Sequence, residues 1–306
     1  MLRLLAAILL LALAMPARAQ DRIVTEADGS RTLIVEVWVP VPDEVVWHAV
    51  STAEGWKRWA VPHAWMDGNL LETSYDPAAK QGDPANIRHR LTTLIPGILL
   101  SFQTVRTPPG FPHAAAFMGV NQFFEILPEA GGTRVRLTGR NYPAGPDGDA
   151  LLGFFKTGNR TTLDAMAQRL PLAPLDFLAG HCWAGTLPTG ERNVHCFDSV
   201  GGTVRDRHEA LREGKKVYGG ETIYAWDGEA KKITFVYKGM GGGEMRGQVR
   251  ADGKDLDFGT TDYVGTDGKR TTISTRWVRV AENSYEARDQ SPTPHLTHGV
   301  RYTRVD

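Results

Sequence analysis

The 306-residue sequence predicts an α+β protein built from two unlike halves. The first is a curved antiparallel sheet that grips a long helix, a helix-grip domain, and the second is an antiparallel up-and-down β-barrel. Before residue 171, a strand, two short helices, a strand meander and one long helix follow each other; after residue 176, short alternating segments recur with almost no helical pattern. The stretch PLAPLD, residues 171–176, separates the halves because its two prolines break the preceding helical pattern.

The first 19 residues differ in composition from the rest of the chain. MLRLLAAILLLALAMPARA combines an early cation, an apolar run and the small residues that signal peptidase accepts at its cleavage site. We therefore expect residues 1–19 to be a signal peptide and residues 20–31 an N-terminal linker. The signal peptide predicts export to the periplasm, and the exported product is expected to be soluble because no second apolar run reaches membrane length.

The first half, residues 32–170, alternates between strand and helix patterns. Residues 32–42 have period-two alternation, and Asp43 is placed as the N-cap of a helix that runs to Ser51. GWKRW, residues 55–59, predicts a second short helix. Further strands are expected at Leu70–Tyr75, Ile87–Leu94, Leu99–Val105, Phe117–Leu127 and Thr133–Asn141. Residues 149–170 carry an apolar stripe at helical spacing, which predicts the long helix.

The second half, residues 177–306, contains about ten short alternating segments separated by Asp-Gly turns. Its first segments contain the only cysteines, in HCWAGTLPTGERNVHC. A hairpin turning at residues 188–191 sets Cys182 opposite Cys196. An oxidising compartment favours a disulfide between them. A Cys2His2 metal site is disfavoured, because adjacent strand residues point to opposite faces and four ligands then fail to converge. Nothing singles out a catalytic cysteine.

The same alternation places four side chains on the face of the hairpin opposite the cysteines: His181, Trp183, His195 and Phe197. If that face points into the barrel, these side chains form an aromatic, weakly basic lining. They then either pack the core or line a ligand pocket. The sequence does not decide which face points inward. For RDRHE, residues 205–209, a solvated face is the default expectation because Arg205, Arg207 and Glu209 share a face.

The first half resembles the SRPBCC (START/Bet v 1-like) superfamily, in particular its activator of Hsp90 ATPase homologue-like branch. The resemblance lies in VEVWVPVPDEVVWHAVSTAEGWKRWAV, ETSYDPAAKQGDPANIRHR and FFEILPEAGGTRVRLTG with the helix that follows. It covers residues 32–170, although DGN at residues 67–69 replaces a glycine pair that the branch often shows. The resemblance implies a cavity between sheet and helix, often for a lipid-like or aromatic ligand, but a fold does not fix a function.

The second half is similar to calycin or lipocalin-like barrels through FLAGHCWAG, residues 177–185, and VRYTRV, residues 300–305. Some barrels of this group bind haem through a histidine near the last strand. In PHLTHGVRY, His295 and His298 lie at about that place, so the resemblance implies haem as an alternative ligand.

Aromatic side chains with a few polar groups are typical of small-molecule pockets. The candidate ligand-binding residues are Trp56, Trp59, Tyr75, Arg88 and Asn121 in the first half and Trp183 and His195 in the second. Trp56 and Trp59 are expected to rim a cavity mouth.

The sequence favours an exported, non-catalytic protein that binds an apolar or aromatic small molecule in the helix-grip cavity. The alternatives are a haem- or lipid-binding barrel, a hydrolase, cyclase or isomerase acting on a hydrophobic substrate, and an interaction module for envelope proteins. The formal charge of zero argues against a nucleic-acid partner. No metal and no cofactor other than this alternative haem are expected, and the oligomeric state is not predicted.

Overall fold

The computed structural model describes residues 21–200 and 202–306, with the side chain of His295 left out. The predicted signal peptide lies outside the described residues. The first domain contains the strands β1 Arg22–Thr25, β2 Arg31–Val39, β3 His63–Asp67, β4 Leu70–Ser74, β5 Ile87–Ile95, β6 Leu99–Arg106, β7 Asn121–Glu129 and β8 Gly132–Tyr142, and the helices α1 Asp43–Ser51, α2 Ala53–Trp59, α3 Ala114–Met118 and α4 Pro146–Arg169. No helix in the described ranges is both long and apolar enough to cross a membrane.

These strands form one antiparallel sheet in the order β1-β2-β8-β7-β6-β5-β4-β3. Helix α4 packs on β2 and β8, which is the predicted helix grip. The inner side chains of the sheet and the apolar stripe of α4 make one core; its fully buried members include Leu33, Phe124, Leu163 and Met166. Burial of this apolar area is the main force that holds helix and sheet together.

Several element predictions for the first domain need correction. Residues 22–25, expected within a linker, pair with β2 and extend the sheet. Strand β3 was not predicted. The strand expected from Phe117 begins only at Asn121, because residues 114–118 form the short helix α3. Asp43 is the first helical residue rather than the cap, and Pro42, which precedes it, has no side chain able to cap.

The second domain is a closed antiparallel barrel, as predicted. Its strands are β9 Cys182–Thr186, β10 Arg192–Val200, β11 Thr203–Arg212, β12 Lys215–Asp227, β13 Lys232–Gly239, β14 Glu244–Asp252, β15 Asp255–Val264, β16 Arg270–Ala281, β17 Ser284–Gln290 and β18 His298–Arg304. Each strand pairs with the next, and β9 closes the barrel between β10 and β18. Closure leaves no unpaired edge among the described strands of the barrel, which removes the aggregation hazard of an open sheet.

The segment between the domains, expected as a linker, is a 3-10 helix, Leu170–Leu175. Leu170 belongs to the core of the first domain, whereas Leu172 and Leu175 belong to the core of the barrel. A further contact joins the domains where Lys231 Nζ lies 4.7 Å from the ring centre of Trp38. The segment therefore packs against both cores rather than acting as a free spacer.

Candidate functional site in the barrel

A cavity of about 230 Å³ lies inside the barrel. Most of its wall is aromatic or apolar and includes Tyr224, Phe235, Phe258 and Trp277. The polar members of the wall are His195, Asp206, His208, Thr222, Thr261, Thr275 and Asp289. An apolar cavity with a few convergent polar groups is the usual composition of a small-molecule site.

Strand register brings three of these polar residues, His195, Asp206 and His208, together. His195 on β10 is the direct partner of His208 on β11, and Asp206 lies two residues before His208 on the same face of β11. The His195 and His208 ring centres are 4.9 Å apart. His195 Nδ1 donates a hydrogen bond of 2.8 Å to Asp206 Oδ2. We call His195, Asp206 and His208 the barrel triad.

Burial governs the electrostatics of the triad. Burial, together with the neighbouring His195, lowers the pKa of His208 to about 4, so His208 is neutral at pH 7. Asp206 is 1% exposed, and its Oδ1 atom has no hydrogen-bond partner among the described residues. On the same wall, burial raises the pKa of Asp289 against the opposing hydrogen bond from Thr275.

The positions of the triad side chains are further fixed by aromatic contacts. The His208 ring stacks on Tyr237, with centres 5.4 Å apart and planes 14° apart. The Tyr237 hydroxyl in turn shares a 2.6 Å hydrogen bond with the Tyr218 hydroxyl. His195 meets the ring of Tyr302 edge-on at 5.2 Å. These contacts hold both imidazoles in one orientation toward the cavity. There the two rings can bind a polar ligand group, accept a proton or hold a cation.

An external groove lies over the wall between β14 and β15. The pairing register of these strands shifts between Met245 and Arg250, and Gly259 adopts a positive φ of 62° at an irregularity in β15. Phe258 and Thr261 line both the groove and the cavity. The irregular ladder, where these two residues separate the groove from the cavity, is the candidate entrance.

The cysteine hairpin has the predicted register. Cys182 is the direct strand partner of Cys196, and the two form a disulfide. The opposite face points into the barrel, where Trp183 and Phe197 are fully buried and His195 lines the cavity. His181 departs from this pattern. It precedes β9, is partly exposed and contacts Asp306.

The candidate residues of the first domain are not gathered around one cavity. Trp56 and Trp59 are buried in the core, with ring centres 5.3 Å apart and their indole N–H groups bonded to backbone carbonyls. Arg88 pairs with Glu72 at 2.6 Å. Asn121 is half-buried at the start of β7. These tryptophans and their aromatic neighbours pack the space between sheet and helix.

Tyr75 is 66% exposed and lies in a cleft of about 1000 Å³ between the domains, which Trp59 also lines. In the same cleft Arg58 and Asp176 form an ion pair of 2.7 Å. Burial raises the pKa of Asp176 to about 6, although Arg58 opposes the shift. The cleft is wide and more polar than the barrel cavity.

Of the two histidines considered as haem ligands, His298 lies near the cavity. His298 Nε2 lies 3.7 Å from Asp289 Oδ2, and Asp289 lines the cavity. The His295 side chain is outside the described part of the structure. Haem therefore stays a prediction.

The fold and site define the class: a helix-grip domain joined to a ligand-sized β-barrel. The family model described as "Polyketide cyclase / dehydrase and lipid transport" matches residues 31–171. The match supports the predicted SRPBCC-type domain in this segment, and the barrel lies outside the match.

Several solved structures are similar to the chain. The Aha1 dimer from Colwellia psychrerythraea has 18% identity and a TM-score of 0.35, covering 44% of this chain and 92% of that one. CalU16 from Micromonospora echinospora has 18% identity and a TM-score of 0.35, covering 48% and 82%. MLL2253 from Mesorhizobium loti has 20% identity and a TM-score of 0.35, covering 45% and 94%. No curated protein matches significantly.

Sequence reasoning selected His195 but missed Asp206 and His208. The signal was present in RDRHE. If Arg205, Arg207 and Glu209 face solvent, the residues between them must face the interior. Asp206 and His208 are indeed the members of this run that line the cavity.

Proposed function

We propose that the protein binds a small aromatic or apolar molecule with one polar group inside the barrel cavity. The single observation that carries the proposal is the 230 Å³ cavity, whose aromatic wall is interrupted by the barrel triad. The volume is slightly below the range of about 300–1,000 Å³ of typical ligand pockets, which suits a compact ligand. The family description, which names lipid transport, matches only the first domain; it supports a hydrophobic ligand for the protein but not the position of that ligand in the barrel.

The barrel is favoured over the helix-grip domain as the binding site because of how each interior is filled. In the first domain, Trp56, Trp59 and Phe124 contact one another between sheet and helix. A ligand there would have to displace close-packed side chains, which is unfavourable because their packing contacts would be lost. The barrel cavity requires no such displacement.

Export to an oxidising compartment is part of the proposal. The Cys182–Cys196 disulfide supports it, since disulfides persist mainly outside the cytosol. Fractionation of cells that express the whole chain, with thiol labelling of each fraction, tests this part. Accumulation in the cytosol with both thiols free would contradict it.

The binding test uses purified protein and a panel of one- and two-ring aromatic compounds that carry a hydroxyl, amine or carboxylate. Binding is measured by isothermal titration calorimetry, and native mass spectrometry identifies any co-purified ligand. Ala287 lines the cavity, so Ala287→Leu should weaken binding by roughly tenfold or more by occupying ligand space. Ala184, which follows inward-facing Trp183 and does not line the cavity, provides the matched control Ala184→Leu.

Two outcomes would overturn the proposal. The first is a wild-type protein that binds no member of the panel and carries no co-purified ligand. The second is a ligand whose affinity is the same in wild type and Ala287→Leu, which would place it elsewhere.

A further inference from the structure

We propose that the barrel triad binds a divalent transition-metal ion, with zinc as the best-suited ion. One ligand atom from each of His195, Asp206 and His208 lies within 4.8 Å of the other two. Three such atoms around a zinc ion, at bond lengths of about 2.1 Å, are about 3.4 Å apart in tetrahedral geometry. The longest separation therefore has to shorten by at most about 1.4 Å, which side-chain rotation can supply.

The unpartnered carboxylate oxygen of Asp206 is an independent observation that points to a cation. This carboxylate is almost fully buried, and His195 is its only ionic partner among the described side chains. Its Oδ1 atom is buried without a hydrogen-bond partner in the described structure. Buried carboxylates are normally paired, fully hydrogen-bonded or bound to metal. A metal ion in the triad would satisfy this oxygen.

The donor set selects the class of ion. Two imidazole nitrogens and one carboxylate oxygen favour zinc and neighbouring first-row ions over magnesium or calcium, which prefer oxygen ligands. Cysteine sulfur is not available, since both cysteines of the chain are in the disulfide. Three protein ligands that border a cavity leave a coordination position open, as in sites where zinc binds water or substrate.

The open position defines what the ion would do in this cavity. It would bind an oxygen of a ligand that enters the barrel, such as a carboxylate or phenolate. The metal site itself does not depend on the organic ligand proposed above. Metal titration without any organic compound therefore tests it separately.

The experiment uses the untagged protein, stripped with a chelator and dialysed, because a histidine tag would bind the same ions. Co²⁺ is titrated while its visible absorption is recorded, and Zn²⁺ is then added as competitor. We expect one Co²⁺ per chain with a d–d spectrum, displaced by Zn²⁺. X-ray absorption of the zinc form should show nitrogen and oxygen donors, including imidazole, and no sulfur.

Variants locate the ion. Asp206→Asn and His208→Gln should each weaken Co²⁺ binding by at least roughly tenfold. His181→Gln is the matched control, because His181 contacts Asp306 outside the cavity and should leave the affinity unchanged. Near-ultraviolet circular dichroism verifies the fold of each variant.

The inference is overturned if folded wild-type protein binds neither Co²⁺ nor Zn²⁺ at micromolar concentration. It is also overturned if both folded triad variants bind the ions as wild type does. If a variant does not fold, the stoichiometry and donor set of the wild-type protein decide.

Discussion

Acidification should destabilise the first domain through one buried histidine, His89. Its side chain is almost inaccessible, contacts the Phe102 ring edge-on at 5.0 Å and shares a 3.1 Å hydrogen bond with the Thr104 hydroxyl. Burial lowers the pKa of His89 from 6.5 to about 4. The native state thus keeps this imidazole neutral in a pH range where the unfolded chain protonates it.

The sign and size of the change in the free energy of unfolding follow from proton linkage. Between pH 6.5 and 4 the unfolded state binds more protons, so the free energy of unfolding falls as the pH falls. The contribution of His89 is complete above pH 6.5 and is lost as the pH approaches 4. At pH 5 the loss is about 2 kcal/mol, and it rises to about 3 kcal/mol near the folded pKa.

The assay compares wild type with His89→Gln, which cannot titrate but can still bond to Thr104. Hydrogen exchange, read by mass spectrometry on peptides from Ile87–Ile95 and corrected for intrinsic rates, reports the stability of this domain at pH 7 and pH 5. Between pH 7 and pH 5, the free energy of unfolding of the wild type should fall by about 2 kcal/mol more than that of the variant. Carboxylate titrations are common to both proteins and cancel.

A direct NMR titration of the histidine Cε1–H resonances provides the refuting result. If the resonance lost in His89→Gln titrates near the pKa of 6.5 of a free histidine, the neutral buried state is wrong. Equal pH dependence of stability in the two proteins would contradict the linkage argument in the same way.

Three further variants should have lower stability, each by a named mechanism. Cys182→Ser with Cys196→Ser opens a loop with a sequence separation of 14, which should cost about 3 kcal/mol in urea unfolding of the barrel; an unchanged midpoint would contradict it. Trp59→Ala empties a fully buried core position and should cost about 3–5 kcal/mol, measured by the same method. Gly55→Ala places a Cβ 2.3 Å from the His48 carbonyl oxygen, so the melting temperature should fall although alanine favours helices; a rise would refute the clash.

Much of the fold could be predicted because local patterns and packing agree. The apolar stripe of residues 149–170 predicts a helix, and α4 spans Pro146–Arg169. The pairing of Cys182 with Cys196 followed from hairpin arithmetic alone. Residues 22–25 escaped prediction because their strand is exposed along its whole length, so no burial pattern marks it.

The location of the candidate site was harder to predict, because a cavity depends on volumes that sequence periodicity does not report. Trp56 and Trp59 have the composition of a pocket rim, yet edge-on contacts with Phe124 make them core. Tyr75 lies in the cleft between the domains, which depends on how the two folds pack. Such non-local arrangements have no signature within one element.

The alternation rule that argues against a metal at the cysteines argues for one in the barrel. Adjacent His195 and Cys196 must point to opposite faces, so the cysteine motif cannot gather four ligands. Residues two apart on one strand must share a face, so Asp206 and His208 point together, and strand register adds His195. The disulfide joins β9 to β10 and the triad lies across β10 and β11, so the two are on opposite faces of the same strand, β10. Removal of the disulfide should weaken metal binding only if it disturbs this register, which the Cys182→Ser, Cys196→Ser protein can test by Co²⁺ titration.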